Sequence, residues 1–134
     1  MDDKINNYKF KLALKQTVAE RYSFFIKRIV AKEELWALAD NEDNWSIVVD
    51  ENGKNPVFHF WTDKEFASFC CVGKWAKMSP KKVDFHDFLV DWLPDMADDG
   101  VKIGVFTLNE NENTAVSAKQ LIHDLKEEEK RFWK

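Results

Sequence analysis

The stretch His59-Phe-Trp-Thr-Asp-Lys-Glu-Phe-Ala-Ser-Phe-Cys-Cys-Val-Gly-Lys-Trp75 gathers a histidine, two adjacent thiols and two indoles. Three kinds of chemistry could use them. A nucleophilic cysteine must be a thiolate, which cations and helix N-termini favour. Cys70 and Cys71 instead fall at the C-terminal end of an expected helix, where the dipole opposes ionisation. Cys70 is therefore read as a small core residue and Cys71 as a flanking thiol. A zinc site needs about four ligands at productive spacings, and His59, Cys70, Cys71 and His86 match no such pattern, so no metal is expected. The remaining option is a pocket where a strand feeds a helix. There His59, Asp63 and Cys71 could converge, with the helix's free N–H groups available to an anion.

A second set of residues suits recognition rather than reaction. Trp61, Trp75 and Trp92 are large amphipathic anchors. They stand near a run of bases without acids (Lys74, Lys77, Lys81, Lys82), followed by acids without bases (Asp84, Asp87, Asp91, Asp95, Asp98, Asp99). Such a charge switch orients a charged partner. The first expectation is a binding surface of Trp61, Trp75, Trp92, Lys74, Lys77, Lys81, Asp95 and Asp98. The acidic run lacks the alternating ligands and twelfth-position Glu of a calcium loop. Phosphate-loop, dinucleotide, nucleophile-elbow and zinc-protease motifs are absent from the sequence. No catalytic residue and no cofactor is expected.

The elements that must place these groups are legible from caps and periodicity. Thr17-Val-Ala-Glu20 is a capping box opening a helix to about Glu34, with Val18, Tyr22, Phe25 and Ile29 as its apolar stripe. Residues 1–16 read ambiguously as strand or helix, and could be a loosely attached segment. Leu35–Ala39, Trp45–Val49 and Pro56–Trp61 read as strands of an antiparallel meander. Thr62-Asp-Lys-Glu65 is a second capping box, for a helix to about Cys71 ending at Gly73. Asp84 caps a third helix that Pro94 closes. Val101, Ile103 and Val105 alternate as a fourth strand, and Ser117 with Gln120 caps a final helix. The expected fold is a single α+β domain over 1–134, with an antiparallel sheet of about four strands and the order α-β-β-β-α-α-β-α. Both faces of Pro56–Trp61 carry bulky groups, so its second face needs cover, from the first helix or from another chain.

The quoted elements resemble a known family. Leu35-Trp36-Ala37-Leu38, Phe60-Trp61 with Glu65-Phe66-Ala67, Cys70 and Trp75, and Phe88-Leu89 with Trp92-Leu93-Pro94, Asp99-Gly100 and Val105-Phe106 are similar to the small bacterial family Domain of Unknown Function 2750, over about residues 20 to 128. The resemblance implies a small α+β domain in bacteria and supplies no activity.

A chain of 134 residues, 45% hydrophobic with eleven Phe and six Trp, can bury a core without disulfides or metal. Its net charge of -4 disfavours nucleic acid. No apolar run is long enough to span a membrane. The polar N-terminus and the adjacent cysteines fit a reducing cytoplasm. The expectation is a non-enzymatic protein-binding or regulatory domain, with a protein partner or self-association; by analogy with other small acidic domains this includes an immunity-type protein that blocks a toxin. The alternative is a small ligand-binding protein or enzyme using His59, Asp63 and Cys71.

Overall fold

Thr17 opens the first long helix in the manner its spacing demands. In the computed structural model, which describes residues 11–49, 53–109 and 112–133, the Thr17 hydroxyl accepts from the Glu20 N–H and the Glu20 carboxylate accepts from the Thr17 N–H. Helix α1 (Val18–Lys32) buries Phe25, Ile26, Ile29 and Val30. It ends at Glu33, whose φ of 61° turns the chain into strand β1 (Glu34–Ala39). Ahead of α1, residues 11–14 form a helical turn that puts Ala13 into the core; residues 1–10 lie outside the described residues.

Strands β2 (Ile47–Val48) and β3 (Val57–Phe60) precede helix α2 (Lys64–Phe69) and a 3-10 turn at Gly73–Trp75. Strand β4 (Ser79–Asp84) runs antiparallel to β1. A continuous helical run follows, made of α3 (Phe85–Asp87), a π turn (Phe88–Trp92) and α4 (Leu93–Asp99). Strands β5 (Lys102–Val105) and β6 (Ala115–Val116) and helix α5 (Ala118–Phe132) complete the described chain. The fold is α+β, with helices packed on sheets, as expected.

Its details correct the reading in five places. The order gains two strands, β4 between the second and third helices and β6 ahead of the last. The four-stranded sheet runs β2-β3-β5-β6 and is mixed, because β3 and β5 are parallel. β1 belongs to a separate pair with β4, and bridges Trp36–Trp61 and Ala39–Trp45 link it to the ends of β3 and β2. Pro94 does not close its helix. In the π turn the Leu93 N–H reaches the Phe88 carbonyl, and the wider turn takes in a residue that cannot donate. Thr62 does not cap α2. The N-cap is Asp63, which makes no side-chain cap bond; its carboxylate is instead held by Arg28 through Nε at 2.8 Å and Nη2 at 2.7 Å.

The two faces of β3 are covered by different means. Phe58 and Phe60 pack against Phe88 and Trp92 of the long helical run. His59 and Trp61 meet Trp75 of the 3-10 turn, with centroids 5.0 and 5.5 Å apart. The second face is thus covered within the chain, though not by α1. Among the described residues, no helix is long and apolar enough to cross a membrane.

Replacing Thr17 with Ala removes one half of the capping box and should cost about 1 kcal/mol, with a urea midpoint lowered at unchanged slope. Ser117→Ala should cost a similar amount, because its hydroxyl accepts from the Gln120 N–H in the same way.

Candidate functional site

On strand β5, Gly104 lies opposite His59 in the parallel register. A Cβ built on Gly104 would sit 2.2 Å from His59 Nδ1. Only glycine lets the imidazole lie across this backbone. Nδ1 is 2.9 Å from Thr107 Oγ1, which in turn bonds the Thr114 hydroxyl. Burial first, and the nearby Lys74 charge second, lower the His59 pKa from 6.5 to about 4. At neutral pH the ring is uncharged, and Thr107 leaves Nε2 as its remaining polar atom.

Above the ring is a cavity of about 370 Å³, lined by His59, Phe69, Cys70, Val72, Lys74, Trp75, Thr107, Leu108, Asn109 and Glu112. Its volume is within the roughly 300–1,000 Å³ range of small-molecule sites. Lys74 Nζ stands 4.9 Å from the Trp75 ring centroid. Trp75 itself is buried, and its Nε1 has no hydrogen-bond partner among the described residues.

Thr107, Leu108, Asn109 and Glu112, which follow Phe106, close one side of this space. Phe106 has a φ of 53°, a conformation unfavourable for a bulky residue and typical of sites that hold strain. Arg21, 1% exposed, holds Phe106 and Glu112 by donating to the Phe106 carbonyl and to both oxygens of Glu112. Glu112 Oε1 also accepts from the N–H groups of Leu108 and Asn109. Burial raises the Glu112 pKa, but the Arg21 fork and these N–H groups outweigh it and hold the carboxyl below its usual range. The Thr107 carbonyl accepts from Trp61 Nε1 at 2.7 Å and from Cys70 Sγ at 3.4 Å.

Most of the residues singled out in the sequence do not come together. Trp61 is fully buried, beside His59 and Trp75. Trp92 is half-buried on the opposite face of the sheet, against Trp45, Phe58 and Phe60. Lys81 reaches Asp43 and the Trp45 ring. Lys77 is exposed ahead of β4, and Asp95 and Asp98 are exposed on α4. Among the described residues, no ion pair joins these lysines to those aspartates.

The trio His59, Asp63 and Cys71 is likewise dispersed. Asp63 lines a separate cavity, where burial opposes its charge but Arg28 and Lys32 hold its pKa at about 2. Cys71, just past α2, donates to the Ala67 carbonyl of that helix. Cys70, read as core, is buried and also lines the cavity; burial chiefly, with the neighbouring Cys71, pushes its thiol up to about 12.

Sequence reasoning missed Arg21, Gly104, Thr107 and Glu112. Two of these carried a signal. Arg21 sits within the apolar stripe between Val18 and Phe25, so it reads as a buried charge in need of a partner, and Gly104 is a glycine inside a strand, which marks a close approach to its backbone. Thr107 and Glu112 carried none, because their role comes from the loop's path.

Fold and site together define a single α+β domain with a part-polar cavity on one face of a mixed sheet. Residues 22–125 match the family described as Protein of unknown function (DUF2750), and the chain belongs to that family. None of the curated proteins compared matches it.

Acid should destabilise the domain in two windows. The His59 ring is held neutral in the folded state, so its contribution is complete above about pH 6.5 and is lost as pH falls through 4, a change of roughly 3 kcal/mol. The Asp63 contribution is present above 3.8 and is lost as pH falls to about 2. His59→Gln should flatten the upper window in urea unfolding measured from pH 7 to 4.

Gly104→Ala should cost about 1–3 kcal/mol by driving a methyl group into the imidazole. Combined with His59→Ala, most of that cost should vanish in a double-mutant cycle.

Proposed function

We propose that this domain is a non-enzymatic binding or regulatory protein that holds a small organic molecule over His59. The observation that carries the reading is the seating of the His59 ring on Gly104 beneath a cavity of about 370 Å³. A neutral imidazole, a threonine hydroxyl and a lysine stand in it among Phe69, Val72, Trp75 and Leu108. Such a mixture of apolar walls and a few fixed polar groups suits binding.

Three features favour binding over catalysis. The Cys70 thiol at about 12 is a poor nucleophile at neutral pH. His59 at about 4 is a weak base. Asp63 is tied to Arg28 in a different cavity. The burial of Trp61 and Trp75 likewise shifts weight from a protein-docking face towards an internal ligand. Cys70 and Cys71 are both free thiols, which suits the reducing cytoplasm expected from their adjacency.

A fragment library screened by two-dimensional NMR on the full chain tests the reading. Hits should shift the Trp75 indole, the His59 ring and the Thr107 amide together. Leu108→Trp, which fills the cavity, should remove those shifts. Shifts scattered over the surface, or unchanged by Leu108→Trp, would refute the site.

A further inference from the structure

We propose that the cavity selects a small planar carboxylate, its carboxyl group taken by Lys74 and the His59 edge and its flat apolar body lying against Trp75; this rests on the small-molecule reading above. The argument begins with charge. Lys74 and Glu112 are the charged residues lining the cavity among the described residues. Glu112 is already satisfied: Arg21 holds both of its oxygens, and the Leu108 and Asn109 N–H groups donate to one of them. Lys74 faces the Trp75 ring and has no carboxylate within ion-pair distance among the described residues. The field left to a ligand is positive.

Hydrogen-bonding capacity points the same way. When the hydroxyl chain runs from Thr114 through Thr107 to His59 Nδ1, the neutral ring carries its proton on Nε2. The polar groups of the lining then include two donors, the Lys74 ammonium and the His59 Nε2–H. These two donors suit an oxygen-rich head. A single ammonium matches a monoanion, whereas a phosphate dianion gains most from several cations or an arginine fork, and the one arginine nearby is committed to Glu112. Flatness follows from the walls, since Trp75 and Phe69 offer ring surfaces to a body that can stack or meet them edge-on.

The test uses benzoate and indole-3-carboxylate against benzamide and indole-3-carboxamide, titrated into the full chain and followed at the Trp75 indole and the His59 ring by NMR. Each acid should bind at least tenfold more tightly than its amide. Lys74→Gln should bring that ratio below threefold. Amides that bind as tightly as acids, inorganic phosphate that displaces the acids at lower concentration, or a ratio untouched by Lys74→Gln would overturn the carboxylate inference and leave the cavity reading standing. Absence of a response to all four probes would overturn both.

Discussion

The guanidinium of Arg21 is the fixed point of this structure. Removing such a group from water is costly, and the cost is offset only where good partners surround the ion. Here they are the Phe106 carbonyl and the Glu112 carboxylate, both on the connection that leaves β5. The bond between them ties α1 to that connection across the domain. It also stabilises the left-handed turn at Phe106, whose N–H still donates to the Phe60 carbonyl and so continues the pairing of β3 with β5. Once Phe106 is fixed, Thr107 follows, and its carbonyl and hydroxyl organise Trp61, Cys70, Thr114 and His59.

The covering of the larger sheet explains why the domain holds a cavity at all. One face meets the long helical run, where Phe58 and Phe60 interlock with Phe88 and Trp92. A helix offers a continuous stripe and fills the space against a sheet. Among the described residues, the other face receives the end of α2, the 3-10 turn and the connection after β5. These bring Trp75 and Thr107 to His59 but do not tile the area between them, and the gap coincides with the glycine that lowers the sheet surface.

Local signals were legible wherever local energetics decide. The Thr17 box, the Asp84 and Ser117 caps and the stripe of α1 depend on residues three or four positions apart, and they appear as read. β4 escaped because Ser79-Pro-Lys-Lys-Val-Asp84 is polar and contains proline, which a strand paired on one side tolerates. β6 is two residues long. The parallel pairing of β3 with β5 is set by the packing of everything between them, which no periodicity records. The candidate site divided along the same line. His59, Lys74 and Trp75 could be picked out by type, but their true companions Thr107 and Glu112 are distant in sequence and ordinary in kind, and a carboxylate such as Asp63 was claimed by a nearer cation.

The seat of His59 on Gly104 lies in the middle of the sheet, on the parallel pair β3 and β5, while Phe106, Leu108 and Asn109 above it are tied down by side-chain bonds from Arg21 and Glu112. Amide hydrogens beneath a bound molecule therefore belong to the part of the chain that exchanges only on global opening, and those above it to a part that can open by itself. Occupancy of the cavity would link the two, so that a molecule touching a few side chains could slow exchange in the connection to the rate of the sheet.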